Sequence, residues 1–335
     1  MNRAGRGRQD RAGDSVLVRL KLQVGRLLAG GAEAAMIGLV RAVFALARAL
    51  GPERSSDLGG FIARTFGPLL GAHRTAVRNL RAAFPERSEA EVQAIARGAW
   101  DNLGRTGAEY AHLGGLFDYD PDRPEPGRVE VEGIEHFLRL RDDGRPGLIF
   151  SAHLGNWELP AICAARFGLP ATAVFRTPND QAVAHVVYEV RKETMGGLEA
   201  ARPGAAFAMR GVLERGGHLG MLIDQHFTRG VLVEFLGRPA FANPILAKFA
   251  RQFDCPVHGV RVVRMPGPRF KLELTPALDL PRDPDGQINV AGAIQAMTQV
   301  VEGWVREEPE QWLWMHRRWR APPAGAGGGG AITKS

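Results

Sequence analysis

The chain has 335 residues, of which 45% are hydrophobic and 24% charged, a composition typical of a globular protein with a large core. Its two cysteines, Cys163 and Cys255, exclude a disulfide-stapled scaffold and a zinc or iron–sulfur site built on CxxC pairs. The formal net charge is +7, and residues 1–26 contribute +5 of it through seven basic and two acidic residues. A basic N-terminal segment attracts anionic lipids as well as nucleic acid, so the charge alone does not identify a nucleic-acid-binding protein.

The two ends of the chain are predicted to be disordered. Residues 1–15 form a basic arm rich in Gly and Arg, and residues 321–335 form a Pro- and Gly-rich tail that cannot pack. Between them, residues 16–120 are predicted to be a helical region, which the Pro-rich stretch 118–127 ends. The residue pattern then changes, and this change predicts a separate α/β core over residues 121–320.

The helix predicted over residues 16–50 is amphipathic. Its apolar face comprises Met36, Val40, Val43, Phe44, Ala47 and Leu50, and the opposite small-residue stripe comprises Gly38, Ala42, Ala45 and Ala49. Glu33, Arg41 and Arg48 interrupt the segment, so no charge-free stretch approaches the roughly 18 residues of a membrane span. Two interpretations stay open: a helix lying in the membrane interface with its arginines reaching the phosphates, or a core helix of a soluble helical layer.

The helical pattern continues over residues 57–115, where Ser88 followed by Glu91 predicts a capping box. Short β-like runs then alternate with helices. The runs are RVEVEG (128–133), GLIFSA (147–152), ATAVFR (171–176), LGMLID (219–224), PVHGVRVV (256–263) and FKLELTPAL (270–278). This alternation predicts an α/β fold with a three-layer αβα core and a mostly parallel sheet. The sheet is predicted to be mixed, because the last runs are close enough to pair antiparallel.

His153 is predicted to lie where the strand GLIFSA ends and the turn LGN leads into a helix. In open α/β sheets this carboxyl edge is where ligands bind. Histidine suits a general base at neutral pH, and Glu158, in the first turn of that helix, is a carboxylate that could fix its tautomer. Ser151 has no second base beside it, and Cys163 is expected to pack in the core. The pattern therefore favours attack by a substrate hydroxyl, although a structural histidine at a strand end would look the same.

Five sequence blocks carry a resemblance to a known family. They are RTAVRNLRAAFPE (74–86), SAHLGNWEL (151–159), FRTPND (175–180), LGMLIDQHFTRGVLVEFLGRPAF (219–241) and PEQWLWMHRRW (309–319). In this order and spacing, over roughly residues 20–320, the chain resembles the bacterial lipid A biosynthesis acyltransferases, the lauroyl and myristoyl transferases of the lysophospholipid acyltransferase superfamily. The resemblance makes residues 16–120 a membrane-associated region and residues 121–320 the acyltransferase core.

The resemblance implies a reaction and roles for particular residues. An acyl chain passes from acyl carrier protein to the 3-hydroxyl of an acyl chain on a Kdo-bearing lipid A precursor. By matching position, His153 is the catalytic base, and Glu158 orients and charges it. The implied substrate-binding residues are Asn156, Arg176, Asn179, Asp224 and Gln225. Among these, Arg176 would meet a phosphate or the thioester oxygen, and Asp224 would hold Arg176 or His153 in place or serve a purely structural role.

The resemblance also implies the surroundings of the enzyme. It needs no cofactor and no metal, and its partners are acyl carrier protein, the lipid A precursor and anionic membrane lipids, with no nucleic acid. It works at the cytoplasmic face of the inner membrane, as a peripheral or monotopic protein or through a single N-terminal anchor. A related membrane acyltransferase acting on a phosphoinositol mannoside, a lysophospholipid or an aminolipid would use the same residues and is the alternative.

The C-terminal block interleaves aromatic and basic side chains. Trp312, Trp314 and Trp319 stand beside His316, Arg317, Arg318 and Arg320. This composition predicts a membrane-interface belt that faces anionic head groups. Core tryptophans with a basic rim are the alternative. A stacking platform for single-stranded nucleic acid is disfavoured, because the basic residues do not follow an RRM-, KH- or OB-like pattern.

Overall fold

The computed structural model describes the backbone of residues 9–123, 125, 127–177 and 181–320, and the side chains of these residues except 9–34 and 181–182. In this part of the chain the helices are α1 Gln9–Phe66, α2 Gly71–Ala83, α3 Glu89–Glu109, α4 Leu113–Leu116, α5 Ile134–Asp142, α6 Leu159–Arg166, α7 Gln181–Thr194, α8 Ala205–Glu214, α9 Ile245–Phe253 and α10 Val290–Glu307. The strands are β1 Val129–Glu132, β2 Gly147–Ser151, β3 Ala171–Phe175, β4 Gly197–Ala200, β5 His218–Leu222, β6 Val231–Phe235, β7 Arg238–Ala242, β8 Val257–Met265 and β9 Arg269–Leu274. The predicted tail, residues 321–335, lies outside the described residues.

The first helix is longer than predicted and has a break. It includes residues 9–15, where the sequence predicts a disordered arm, while residues 1–8 lie outside the described part. Gly51 breaks it with a φ of +80° and a ψ of 165°, one residue before Pro52. The chain therefore has two successive helices here.

The first helix is also mostly exposed. Residues Ala35–Leu69 include an 18-residue window of mean hydropathy 1.5, long and apolar enough to cross a membrane by length and composition. Only 6% of that window is buried, so the alternative of a soluble core helix is wrong for this segment. Arg41 and Arg48 still interrupt the apolar stretch, and whether the helix spans the bilayer or lies on it stays open.

Helix α3 begins as predicted and packs closely on the second half of α1. The capping box is present, with the Ser88 side chain accepting from the Glu91 backbone N–H and the Glu91 side chain accepting from Ser88. A Cβ at Gly59 would lie 2.5 Å from Gly104 O, and a Cβ at Gly104 would lie 2.2 Å from Gly59 O. Neither position can accept a side chain, because the two backbones touch.

The sheet is the middle layer of three. Its strand order is β1-β9-β8-β2-β5-β3-β4, and each neighbouring pair is parallel except β8 with β9. One apolar cluster takes Leu148 and Phe150 from β2, and a second takes Val260 and Val262 from β8. The second cluster contains buried side chains of α5 and α6, and the first those of α9 and α10. The predicted three-layer α/β fold with a mixed, mostly parallel sheet is confirmed.

Two strand features are missing from the sequence prediction. β4 adds a parallel edge strand beside β3, although its residues GLEA carry no β-like run. β6 and β7 form a separate antiparallel hairpin. Its turn places Leu236 at a φ of 53° and Gly237 at 68°. Leucine is rare in this left-handed region, and the sequence has no Asn-Gly or Asp-Gly pair that would predict the turn.

Candidate active site

The carboxyl edge of the sheet brings His153 and Asp224 together. β2 and β5 are parallel neighbours in which Ser151 pairs with Leu222, and each side chain follows its strand by two residues. His153 Nδ1 lies 2.8 Å from Asp224 Oδ1, and the His153 backbone N–H donates to Oδ2 at 2.9 Å. The histidine side chain is 15% exposed and that of Asp224 is fully buried. The predicted position of His153 at the end of a strand is confirmed.

The Asp224 carboxylate decides which nitrogen of His153 carries the proton. Burial opposes ionisation of Asp224, but the charge and hydrogen bond of His153 outweigh it, and the pKa of this carboxyl lies well below its usual range. Trp312 Nε1 also donates to Oδ2, at 2.8 Å. An ionised carboxylate only accepts hydrogen bonds, so we assign the proton to Nδ1 and leave Nε2 unprotonated, with a lone pair that can accept. Gln225 Nε2 lies 3.3 Å from Nε2, where its amide can donate.

Glu158 makes a different interaction from the one predicted. Arg191 binds its carboxylate twice, with Nη2 donating to Oε1 at 2.6 Å and Nε donating to Oε2 at 2.9 Å. The Tyr110 hydroxyl donates to Oε1, and Arg191 Nη2 also donates to that hydroxyl at 3.1 Å. The structure therefore corrects the predicted pairing of Glu158 with His153. The carboxylate on His153 Nδ1 belongs to Asp224, because the neighbouring parallel strand ends closer to the ring than the helix turn does.

Tyr110, Glu158 and Arg191 form a buried group, called here the arginine triad. The Glu158 side chain is 3% exposed and that of Arg191 is 13% exposed. Burial, and then the charge of Glu158, raise the pKa of Tyr110 well above its ordinary value. Burial opposes the charge of Arg191, but Glu158 outweighs it and raises the Arg191 pKa further. The triad therefore holds a guanidinium–carboxylate ion pair beside a neutral phenol.

An apolar cavity adjoins the arginine triad. Its lining includes three residues in register across β2, β5 and β3, namely Ile149, Gly220 and Ala173. Among the described residues that line it, Glu158 and Arg191 are the charged ones. Trp157 also lines it, and its ring lies 5.2 Å from the His153 ring between centroids. Trp157 therefore lies between the cavity and the His153 ring.

The turn after His153 is held in place from behind. Gly155 has a φ of +58°, and a Cβ there would lie 2.1 Å from Val262 O, so this position requires glycine. Asn102 Nδ2 and Thr106 Oγ1 of α3 each donate to Gly155 O at 3.1 Å. Helix α3 therefore fixes the backbone that separates His153 from Glu158.

A buried ion pair supports the same turn. Glu109, at the end of α3, pairs with Arg264 at 2.5 Å and accepts from Ser56 Oγ at 2.7 Å. Asn156 is fully buried; its Nδ2 donates to Glu109 Oε2 at 2.9 Å, and its Oδ1 accepts from the Glu158 backbone N–H at 3.2 Å. Both ends of this amide are used inside the protein. The structure thus gives Asn156 a positioning role where the resemblance implies a substrate contact.

The other predicted residues have mixed outcomes. Arg176 follows β3 at the same sheet edge and its side chain is exposed, while Asn179 lies outside the described residues. Gln225 lies against His153, as described above. Cys163 is buried in α6, and burial raises the pKa of its thiol to about 12, which confirms the expected packing role.

Sequence reasoning misses several residues of the site. They are Tyr110, Glu109, Arg191, Arg264 and, as a contact of Asp224, Trp312. For α3 a signal exists, because Asn102, Thr106 and Glu109 place polar groups at helical spacing on one face. Arg191 has no such signal, since a basic residue in the last turn of a helix is ordinary.

The C-terminal tryptophans belong to the core and not to a membrane belt. Trp312 and Trp314 are fully buried, and their rings pack at 4.6 Å between centroids. The Leu313 backbone N–H donates to His153 O at 3.1 Å. The predicted interface belt is therefore wrong for these two residues, and the segment supports the site from behind.

Comparisons with known proteins identify the family of the chain. The family model of the bacterial lipid A biosynthesis acyltransferases matches residues 32–321. The lipid A biosynthesis myristoyltransferase of Escherichia coli K12 is 25% identical over 254 residues, which cover 73% of this chain and 74% of the relative. The palmitoleoyltransferase of that organism is 25% identical over 280 residues, which cover 79% and 84%. A lipid A biosynthesis acyltransferase of Haemophilus influenzae is 24% identical over 194 residues, which cover 56% of this chain and 58% of the relative. The chain is an acyltransferase and belongs to the bacterial lipid A biosynthesis acyltransferase family.

Proposed function

We propose that this protein transfers an acyl group from the thioester of acyl carrier protein to the 3-hydroxyl of an acyl chain on a Kdo-bearing lipid A precursor. The observation that carries the proposal is the hydrogen bond of His153 to buried Asp224 beside an apolar cavity. A base with one unprotonated nitrogen can take a hydroxyl proton, and an apolar cavity suits an acyl chain.

The reaction is a direct acyl transfer. His153 Nε2 takes the proton of the acceptor hydroxyl as that oxygen attacks the thioester carbonyl and forms the new C–O bond. The tetrahedral intermediate then breaks its C–S bond, and the imidazolium gives its proton to the departing sulfur. Neutral histidine, an ester and a free thiol remain, and Asp224 stabilises the imidazolium between the two steps. The reaction needs only the acyl donor and the lipid acceptor, so no cofactor is proposed.

Arg191 supplies positive charge for the oxyanion that develops on the thioester carbonyl. Its Nε and Nη2 are used by Glu158 and Tyr110, so Nη1 is the nitrogen left to meet a ligand in the cavity. A fixed charge aimed at a developing oxyanion is an effective form of transition-state stabilisation. Glu158 then acts on the reaction by holding Arg191. Arg176, on the exposed side of the same edge, is left as a candidate for a substrate phosphate.

Gly220→Val is expected to shift the preferred donor towards shorter acyl chains. Gly220 lines the cavity from the middle of β5, and a Cβ there would meet no heavy atom within 4 Å. The added methyl groups therefore occupy cavity space and leave the sheet intact. Each methylene excluded from the cavity costs about 0.8 kcal/mol, so losing two changes the ratio of kcat/KM between long and short donors roughly tenfold.

A competition between acyl carrier proteins loaded with chains of different length measures this shift. Gly303→Val is the matched control, because a Cβ at Gly303 also meets no atom within 4 Å but lies on α10, away from the cavity. An unchanged donor ratio in Gly220→Val would show that the chain does not occupy this cavity.

We also propose that the enzyme binds the cytoplasmic face of the inner membrane through α1 and the turn that follows it. The large apolar side chains exposed there are Met36, Leu39, Val43, Leu46, Leu58, Phe61, Ile62, Phe66, Leu69 and Leu70. Exposed apolar surface of this extent is typical of a membrane or protein contact. Leu69, at 79% exposure, has the largest exposed fraction of the group.

The double variant Phe61→Glu, Leu69→Glu is expected to lower binding to anionic phospholipid vesicles at least tenfold. Each apolar side chain removed from the membrane costs about 1.5–3 kcal/mol, and an acidic replacement adds repulsion. Vesicle sedimentation measures the effect. The control is Leu138→Glu, which places the same charge on an exposed leucine of α5, 39% exposed. Equal binding by both variants would contradict the membrane assignment.

A reconstituted assay tests the proposed function. Full-length enzyme is incubated with lauroyl-loaded acyl carrier protein and the Kdo-bearing lipid A precursor, and the products are followed by thiol titration and mass spectrometry. We expect one thiol released for each acyl ester gained by the acceptor. Thiol release accompanied by free fatty acid, or transfer to phospholipid with none to the lipid A precursor, would contradict the proposal.

A further inference from the structure

A second polar site lies beside His153, built from elements that do not line the apolar cavity. His226 follows Gln225 after β5, Arg238 begins β7, and Arg318 and Arg320 belong to the C-terminal segment. Arg78 of α2 lies close enough to Arg238 to repel it. These five residues are called here the cationic cluster. Gln225 connects the cluster to the catalytic histidine, because its amide lies 3.3 Å from His153 Nε2.

Arg318 is the buried centre of the cationic cluster. Arg318 is 1% exposed. Its Nη1 donates to Phe241 O at 2.6 Å, and its guanidinium lies 5.4 Å from the Phe235 ring centre. Nε is buried and has no hydrogen-bond partner within the described part of the chain. A buried guanidinium normally has its donors matched, because an unmatched buried charge is costly. Arg318 therefore has donor capacity that a ligand would use.

Two further nitrogens in the cluster are buried without a partner among the described residues, namely His226 Nδ1 and Arg238 Nη1. The Arg238 guanidinium lies 4.5 Å from the Trp319 ring centre, which fixes its position without neutralising it. Three unmatched nitrogens on three cationic or potentially cationic side chains are therefore gathered beside the active site.

The electrostatic state of the cluster favours an anionic ligand. Burial, and then the charges of Arg318 and Arg320, lower the pKa of His226. Burial, and then Arg78, lower the pKa of Arg238. Burial lowers the pKa of Arg318 to about 10, although Asp224 opposes the shift. Asp224 already binds His153 and Trp312, and the segment that follows, residues 321–335, has no acidic side chain.

We infer that the cationic cluster is a binding site for a phosphate group carried by one of the substrates. Phosphate oxygens match the forked donors of arginine and accept from histidine as well. The site also has the right place for substrate recognition, since it adjoins Gln225 and His153 on elements distinct from those that line the acyl cavity. The inference rests on the proposed function for the identity of the substrate. The phosphate belongs either to the lipid acceptor or to the phosphopantetheine arm of the donor.

The first test compares KM values for the two substrates in Arg238→Gln. Arg238→Gln loses a charge-assisted hydrogen bond to the phosphate, so KM for the phosphate-bearing substrate is expected to rise at least tenfold, and by more than kcat falls. Arg145→Gln is the matched control, because Arg145 precedes β2 and so lies at the end of the strand opposite to His153. A rise confined to the acceptor identifies the lipid phosphate, and a rise confined to the donor identifies the phosphopantetheine. Unchanged KM values for both substrates would overturn the inference.

A second test is independent of catalysis. Inorganic phosphate is titrated into the full-length protein in detergent while the ring proton signal of His226 is followed by NMR. We expect a saturable shift in the wild type and in Arg145→Gln, and at least tenfold weaker binding in Arg238→Gln. If the enzyme transferred no acyl group, the proposed function would fail and this titration would decide the phosphate site alone. Absence of a saturable shift in the wild type would then overturn it. Arg238→Lys, which keeps the charge, is expected to recover part of the binding and guards against a folding artefact.

Discussion

Replacing Asp224 with asparagine is expected to lower kcat roughly 10²–10⁴-fold, about as much as replacing His153 with glutamine. The amide has nearly the shape of the carboxylate but no charge. It can present an N–H to His153 Nδ1, which would move the ring proton to Nε2 and remove the base. It also leaves the imidazolium without its counter-charge. Thiol release from the loaded acyl carrier protein measures the rate directly.

Stability must be followed alongside this rate. Asp224 accepts hydrogen bonds from Trp312 and from the His153 backbone, so the asparagine variant loses part of a buried network. The His153→Gln variant removes the base and leaves those two bonds in place. If both variants keep the wild-type unfolding temperature within a few degrees and both lose activity, the loss is chemical. Wild-type turnover in a folded Asp224→Asn variant would contradict the mechanism.

Glu109→Gln is expected to destabilise the protein by about 3–5 kcal/mol, because it leaves the Arg264 guanidinium buried without a counter-charge. The Glu109 side chain is fully buried and that of Arg264 is 9% exposed. Asn102 Oδ1 and Thr106 Oγ1 accept hydrogen bonds from the same guanidinium, but neither carries charge. The expected fall in melting temperature is roughly 4–7 °C for a chain of 335 residues. Thermal unfolding of wild type and variant in the same detergent measures it.

The matched control for this stability prediction is Glu214→Gln. Glu214 pairs with Arg210 one helix turn away at 2.7 Å, and both side chains are about half exposed. Surface pairs of this kind contribute at most about 1 kcal/mol, so the control is expected to unfold within a few degrees of the wild type. An equal fall in melting temperature in the two variants would show that the buried Glu109–Arg264 pair stabilises the protein no more than a surface pair.

The sequence determines the fold more completely than the site. The β-like runs predict the central strands because buried parallel strands are short and apolar, and the closeness of the last two predicts the antiparallel pair. β4 escapes prediction because a short edge strand with glycine and glutamate has no periodicity. The β6–β7 hairpin escapes because Leu236 takes a turn conformation that leucine rarely adopts.

The site is harder to predict because its partners are distant in sequence. His153 is recognisable from its place after a strand, but the sequence offers Glu158 as its nearest carboxylate. The parallel pairing of β2 with β5 brings Asp224 closer, although 71 residues separate it from His153. Glu158 instead forms an ion pair with Arg191 in the arginine triad. Only the sheet order distinguishes these two pairings, and no local pattern encodes it.

The burial of the C-terminal tryptophans could not be predicted from composition either. Composition alone suits both a membrane interface and a buried core, since tryptophan has a large apolar ring and one polar N–H. The indole of Trp312 meets Asp224 and that of Trp314 meets Pro309 O at 2.7 Å, so both N–H groups find partners inside the protein. The proposed membrane-binding surface lies instead on α1, where apolar side chains are exposed.

The proposed mechanism requires that Asp224 acts through His153 and that Glu158 acts through Arg191. A double-mutant cycle on kcat tests it most directly, using His153→Gln, Asp224→Asn and both together, with Glu158→Gln and Arg191→Gln as the parallel cycle. We expect Asp224→Asn to slow the His153→Gln enzyme less than about twofold, and Glu158→Gln to slow the Arg191→Gln enzyme equally little. A double variant of His153 and Asp224 slower by the product of the two single effects would contradict it.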